Sequence, residues 1–142
     1  IIAKDSVLGG DLAIEADITT TGDSLLKAGS ILASTSVLKA GTEVTTQFVG
    51  TNGSTYNVGD TLASDVTVSQ TVTLTADLLA KSGSVLDAVS VFKAGSYLGG
   101  NATVSVASTM TLTESMTLKA GSTLLSSDGD LSIAAGSTIG GD

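Results

Sequence analysis

The chain has no cysteine, proline, histidine or tryptophan among its 142 residues, and its six basic residues are all lysine. Without histidine or cysteine, Ser-His-Asp and Cys-His nucleophiles and the ordinary types of zinc site are excluded. The acidic residues are scattered along the chain, and no arginine is present to hold a uronate. We therefore predict that the protein is not an enzyme and carries no cofactor.

Positive charge is also scarce, since fourteen acids against six lysines give a formal net charge of −8. Binding to nucleic acid or to an anionic membrane usually needs a basic stripe, so neither is an expected partner. No apolar run approaches the ~18 residues of a membrane span, which argues against membrane insertion. Few bulky residues and abundant serine and threonine favour an extracellular or cell-surface location.

Aromatic residues make up only 3% of the chain, whereas 42% of it is hydrophobic, nearly all aliphatic or alanine. Such small side chains can fill a thin core but not a wide one. Alternation of apolar and polar residues is typical of short strands, as in Met116–Leu118 and Leu131–Ile133, each followed by Ala-Gly-Ser. The sequence therefore predicts an all-β protein.

Internal repeats are the strongest signal in the sequence. Residues 10–44 align with residues 64–98 without a gap at an offset of 54, and a third copy covers residues 102–142. Because 54 residues correspond to three coils of ~18 residues, we predict one domain, residues 1–142, folded as a parallel β-solenoid with ~18-residue rungs. A helix is the alternative, but Gly29 and Gly41 would each cost it ~1 kcal/mol.

Residues 42–63 break the repeat. The dipeptide Asn52-Gly53 between two strand-like runs is a hairpin signal, so we predict a hairpin-like excursion near residues 45–60. This segment holds two of the four aromatic residues of the chain. Phe48, Asn52 and Tyr56 are therefore the candidate ligand contacts.

Three further patterns each allow two interpretations. Lysines that precede Ala-Gly or Ser-Gly either keep the surface soluble or pair with acids of a neighbouring subunit. Alternating threonines, as in Thr71–Thr75, are either ordinary strand residues or stacked ladders that bind ice or mineral. Aliphatic doublets beside the turns place their second residue either in an inward corner or in an apolar surface column that contacts another copy.

Calcium is the one metal that the residue types allow, because aspartates at glycine-containing turns resemble its oxygen ligands. The candidates are Asp11, Asp128 and Asp130. The repeated Gly-Gly-x-Gly-x-Asp pattern of calcium-loaded β-rolls is missing. Solvated turn acids are the simpler interpretation.

The segment Asp130–Gly141, with the related phrase Met116–Leu124, resembles the repeats of filamentous-haemagglutinin-type secreted adhesins. The resemblance covers about two-thirds of the chain and is weakest over residues 42–63. It implies a right-handed parallel β-helix with a structural or adhesive role, and it identifies no binding residue. Phage fibres and cytoskeletal bactofilins share the same repeat pattern.

Neither end of the sequence has the pattern of a capping segment that would cover the terminal rung of a solenoid. Residues Ser6–Asp11 resemble Ser137–Asp142, after which the repeat pattern predicts another rung, and the chain begins with Ile1 rather than Met. We therefore expect a slice of a longer array, or a subunit that stacks head-to-tail with copies of itself into an extracellular filament. The predicted assembly interface comprises Ile1, Ile2, Leu8, Gly9, Gly10, Ile139, Gly140, Gly141 and Asp142. A ligand-binding segment of a surface adhesin or phage fibre and an ice- or mineral-binding protein are the alternatives.

Overall fold

The computed structural model describes residues 2, 4–100, 116–119, 122 and 138–139. These residues form short strands, most of them two residues long. In chain order the strands are β1 (Leu12–Ala13), β2 (Ile18–Thr19), β3 (Ser24–Leu26), β4 (Ile31–Leu32), β5 (Val37–Leu38), β6 (Phe48–Val49), β7 (Thr55–Tyr56), β8 (Val66–Thr67), β9 (Val72–Thr73), β10 (Leu78–Ala80), β11 (Val85–Leu86), β12 (Val91–Phe92), β13 (Thr117–Leu118) and β14 (Thr138–Ile139).

The chain folds back on itself as one long antiparallel hairpin. Its first arm (residues 7–49) pairs with its second arm (residues 55–97), and the numbers of paired residues add up to 104, for example 12 with 92, 26 with 78 and 38 with 66. At the tip, β6 pairs with β7 around residues 50–54. We call these two arms together the ribbon.

The ribbon also pairs with itself along its second edge. Val91 pairs with both Ala13 and Ile31, which lie 18 residues apart, and Val85 pairs with both Thr19 and Val37. Along the first arm, β1, β2 and β3 belong to three different sheets. The next two strands lie in the first two of these sheets again, β4 with β1 and β5 with β2. The ribbon therefore winds around a core, with 18 residues of each arm in one circuit.

A period of six residues decides which side chains fill that core. On each arm, the side chain at every sixth position is buried in the core. These residues are Leu8, Ile14, Thr20, Leu26, Leu32, Leu38 and Val44 on the first arm, and Leu62, Val68, Leu74, Ala80, Leu86, Phe92 and Leu98 on the second. Each six-residue segment of an arm forms one side of a circuit and the corner that follows it, so a circuit of 18 residues has three sides. Because the sides are short, a thin column of aliphatic side chains is enough to fill the interior.

The parallel β-solenoid predicted from the sequence is wrong. The described sheets of the ribbon are antiparallel, and the 18-residue spacing separates two residues that share one antiparallel partner rather than two residues stacked in parallel rungs. The sequence repeat could not distinguish parallel from antiparallel pairing, because the alternation of inward and outward residues is the same along a strand in either direction. The hairpin around Asn52-Gly53 is the tip of the whole ribbon rather than an excursion from it.

The aliphatic doublets place one residue inside and one outside. Leu26 is buried and Leu25 lies on the outer face, where it pairs with both Tyr97 and Leu79. In the described doublets the other apolar residue therefore lies on the outer face and not in an inward corner, and contact of this column with another copy stays a prediction. Val7, Tyr97, Leu25 and Leu79 form one such outward row.

The threonine ladders expected between the first two sequence copies do not form. Thr73 pairs with Ile31, and Thr67 pairs with Val37, so each threonine lies beside an aliphatic residue. Thr109–Thr113 of the third copy lies outside the described residues. Antiparallel pairing explains the difference, because equivalent residues of the two copies lie on opposite arms rather than one above the other.

The end of the ribbon opposite the tip is extended by additional strands. Val7 exchanges two backbone hydrogen bonds with Thr117, at 2.8 and 3.0 Å. Strand β13 then pairs with β14 in parallel, with Thr117 opposite Thr138. One row of paired residues thus runs from Thr138 through Thr117 and Val7 into the ribbon.

Candidate functional site

The most regular chemical feature of the ribbon is a corner at which a lysine of one arm meets an aspartate of the other. Lys27 begins the turn Lys27–Gly29, and Gly29 has a φ of 86°, a left-handed conformation that glycine adopts without strain. Across the ribbon, one oxygen of Asp77 accepts a bond from the Ala28 N–H (2.8 Å), and the other binds Lys27 Nζ (2.6 Å). One carboxylate thereby satisfies both the turn and the lysine.

This corner occurs four times in the described residues. The ion pairs are Lys27–Asp77, Lys39–Asp65, Lys81–Asp23 and Lys93–Asp11. The side-chain bond from lysine, followed by the backbone N–H, lowers the pKa of Asp23, Asp65 and Asp77 below the ordinary value, and the bond from Lys93 does the same for Asp11. These four lysines therefore pair with acids of their own chain, and the alternative that they pair with a neighbouring subunit is not needed to explain them.

The serine that follows the turn glycine makes the second connection of each corner. Ser84 is fully buried, and its Oγ accepts a bond from the Lys39 N–H (3.1 Å) in the adjacent circuit. In return, the Lys81 N–H donates to Thr42 Oγ1 (3.2 Å). The phrase Lys-Ala-Gly-Ser therefore contacts the other arm on both sides, through an aspartate on one and a hydroxyl on the other.

The corner at residues 87–89 departs from this pattern, as does its repeat equivalent at residues 33–35. Asp87 stands where the corner six residues earlier has Lys81, opposite Asp17, and both carboxylates accept a bond from the Ala88 N–H, at 2.7 and 2.9 Å. The hydrogen bond with Asp17 raises the pKa of Asp87, and the same bond lowers the pKa of Asp17. Val89 takes the place of the turn glycine with a φ of 65° and is 73% exposed.

The three predicted ligand contacts lie together at the tip. The rings of Phe48 and Tyr56 stack with centroids 5.1 Å apart, and Asn52 Nδ2 donates to Tyr56 Oη at 2.9 Å. Asn52 Oδ1 also accepts a bond from the Ser54 N–H, which closes the turn. Phe48 is buried in the core, so these side chains mainly hold the hairpin together.

Next to the tip is an open cleft of about 340 Å³. Its walls are one side of β6 and the approach to β9. The lining residues are Gln47, Phe48, Val49, Thr55, Gln70, Thr71 and Val72. Of the predicted ligand contacts, Phe48 lines this cleft, whereas Asn52 and Tyr56 do not. The sequence analysis did not select Gln47 or Gln70, although these are the only two glutamines in the chain.

The predicted assembly residues fall into two groups. Ile2, Leu8, Gly9 and Gly10 are buried within the chain, and Ile139 is in β14, opposite Leu118. Ile1, Gly140, Gly141 and Asp142 lie outside the described residues. Leu8 belongs to the core, and its N–H donates to Ser96 of the same chain.

The calcium candidates separate in the same way. Asp11 is bound to Lys93 and to the Ala94 N–H, while Asp128 and Asp130 lie outside the described residues. Within the described part of the chain, no three histidine, cysteine, aspartate or glutamate residues are grouped so that they could hold a metal ion.

The aspartate partners of the lysines were the main feature that sequence reasoning missed, although a signal for them existed. Asp11 aligns with Asp65, and Asp23 aligns with Asp77, at the same offset of 54 that relates Lys27 to Lys81. Exchange of the two arms therefore converts the Lys27–Asp77 pair into the Lys81–Asp23 pair.

In the described residues, no helix has the length and apolar character needed to cross a membrane.

Comparison of the chain with protein-family models, with curated proteins and with solved structures gives no match.

Proposed function

We propose that the protein is a non-enzymatic structural subunit of an extracellular fibre, which associates head-to-tail with copies of itself. The observation that carries the proposal is a pair of strand edges, one toward each end of the ribbon, that have a strand partner on one side only among the described residues. At one end is Thr138, paired with Thr117, and at the other end is Thr61, paired with Glu43. Among the described residues, each of these two end positions has a strand partner on one side only.

Unpaired strand edges favour the addition of a further strand from another molecule. Because Thr138 and Thr61 lie at opposite ends of the molecule, a contact between them joins two different surfaces. Such a heterologous contact generates open filaments rather than closed dimers. The corner ion pairs join the two arms, and the buried serine contacts join neighbouring circuits, so both support a structural role.

Substitutions at the two edges test the proposal. A lysine on an edge strand opposes strand addition because its charge would have to be desolvated at the contact. We expect Thr138→Lys and Thr61→Lys each to shorten or abolish filaments of the purified chain in electron micrographs, and to shift it toward monomer in sedimentation experiments. Val37→Lys is the control, because Val37 is also on the outer surface but pairs on both sides, with Val85 and Thr67.

The parent chain should form filaments that Val37→Lys retains. A parent chain that remains monomeric at all concentrations would contradict the proposal. Filaments that persist in both edge variants would contradict the proposed contact.

A further inference from the structure

The cleft beside the tip exists because the regular register of the ribbon fails there. Thr46 Oγ1 accepts a bond from the Thr75 N–H (2.9 Å), which anchors the two arms to each other at this point. Three residues later, the carbonyl of Val49 instead binds the N–H and Oγ of Ser69, at 2.9 and 2.8 Å. Residues 47–48 therefore face residues 70–74 between the two anchors.

Two segments of unequal length cannot pair residue by residue, so β6 and β9 diverge. In the register of the rest of the ribbon, Val49 would lie opposite Thr73. In the structure, β9 has β4 as its strand partner, and β6 has β7. The space between the two strands opens to solvent, and the residues around it set its chemistry.

Among the described residues, no charged side chain lines the cleft, although the chain carries a net charge of −8. Gln47 and Gln70, one on each wall, are exposed, as are the hydroxyls of Thr55 and Thr71. A glutamine amide offers both donors and acceptors. Gln47 Nε2 donates to Asn57 Oδ1 (3.1 Å), which fixes the direction of its amide, and Gln70 makes no side-chain hydrogen bond within the described residues.

The remaining lining is apolar. Val49 is 39% exposed, Val72 is half-buried, and Phe48 lies beneath them. An uncharged ligand with hydroxyl groups on its edges and a C–H face would match both parts of this surface, because amides and hydroxyls can bond its edges while the apolar residues cover its face. The volume lies near the lower limit of about 300 Å³ for ligand clefts in general.

We propose that this cleft binds a neutral oligosaccharide, with Gln47 and Gln70 as its hydrogen-bonding residues. An added peptide strand fits less well, since the free edge of β9 is two residues long and diverges from β6. The proposal is independent of fibre assembly, because none of the lining residues is at Thr138 or Thr61.

The test is an NMR titration of isotope-labelled chain with neutral glucose, galactose and N-acetylglucosamine oligomers. We expect at least one of them to shift backbone amide signals of residues 47–49, 55 and 70–72. Gln47→Ala and Gln70→Ala should each weaken this binding roughly five- to tenfold, the effect of one lost neutral hydrogen bond. The control Thr19→Ala changes an exposed threonine in β2, which is not among the cleft residues, and should bind like the parent.

An oligogalacturonate and a peptide of alternating threonine and valine serve as competing probes. Absence of shifts with every neutral sugar, or shifts confined to residues outside the cleft, would overturn the proposal. So would tighter binding of the charged oligomer, or a response to the peptide without a response to any sugar. Unchanged amide spectra of the variants away from the cleft would show that they remain folded.

Discussion

The backbone N–H of Lys27 donates to Oγ of Ser96 at 3.0 Å. The reverse bond also exists, since the Lys93 N–H donates to Ser30 Oγ at 3.0 Å. Two copies of Lys-Ala-Gly-Ser from opposite arms therefore bind each other reciprocally, and the buried hydroxyls satisfy N–H groups that would otherwise lack a partner inside the protein. The predictions below follow from these corners.

Removal of a buried corner hydroxyl should destabilise the protein. Ser84 is fully buried, accepts the Lys39 N–H and donates to the Lys81 carbonyl. Ser84→Ala leaves that N–H without an acceptor, so we expect a loss of about 1–3 kcal/mol in the free energy of unfolding, measured in urea. Ser82→Ala is the matched control two residues earlier, because Ser82 is exposed and the aligned turns have alanine there. Equal effects of the two substitutions would contradict the role assigned to the buried serine.

Gly22 should tolerate substitution poorly for steric reasons. A Cβ at this position would lie 1.9 Å from the Gly99 carbonyl oxygen, which belongs to a backbone that cannot simply move aside. We expect Gly22→Ala to cost more than about 4 kcal/mol or to prevent folding. Gly59→Ala adds a Cβ in open space at a φ of 93°, so only the conformational cost of about 1–2 kcal/mol remains. Circular dichroism melting of both variants would measure the difference, and a folded Gly22→Ala as stable as Gly59→Ala would contradict it.

Val89→Gly should stabilise the protein. A β-branched side chain at a φ of 65° is strained, and this one is 73% exposed, so its removal loses little packing. We expect a gain of about 1 kcal/mol, since the left-handed conformation costs most residues about 1–2 kcal/mol and the added freedom of the unfolded glycine offsets part of it. Val58 is similarly exposed but is not in a left-handed conformation. Val58→Gly should therefore be neutral or destabilising, and a similar gain in both variants would refute the explanation by strain.

Asp87 at the 87–89 corner should contribute to the pH dependence of stability in the direction opposite to the aspartates of the ion pairs. Because the hydrogen bond with Asp17 raises the pKa of Asp87, the stability from protonated Asp87 is present below the ordinary aspartate pKa and is lost as the pH rises through the raised value. We expect Asp87→Asn to be more stable than the parent at neutral pH, with the advantage shrinking in acid. Urea unfolding at several pH values measures this.

Asp77→Asn provides the opposite case. In the parent chain, the hydrogen bond from Lys27 lowers the pKa of Asp77. The stability that this carboxylate contributes is therefore present above the ordinary aspartate pKa and is lost as the pH falls through the lowered value. The variant should be less stable than the parent at neutral pH and should approach it in acid. If both asparagine variants change stability in the same direction at neutral pH, the assignment of the two kinds of corner is wrong.

Part of the candidate cleft could be anticipated from the sequence. The break in the repeat and the Asn52-Gly53 turn indicated a hairpin near Phe48 and Tyr56, and that hairpin is present. Gln70 could not be anticipated, because it belongs to the second arm and reaches the cleft only through the failed pairing between β6 and β9. A contact of that kind depends on how two distant segments are anchored and not on the residues around either one.

The amino-acid sequence by itself determined that the described residues are all-β, that inward and outward residues alternate along the strands, and where the corners lie. These properties are local, because the alternation along a strand and a glycine at a left-handed turn depend on a few neighbouring residues. Only the tertiary structure decided that the second arm returns antiparallel to the first. The inward–outward pattern is the same in both directions, so the choice rests on contacts between distant residues, such as Lys27 with Asp77 and Lys39 with Ser84.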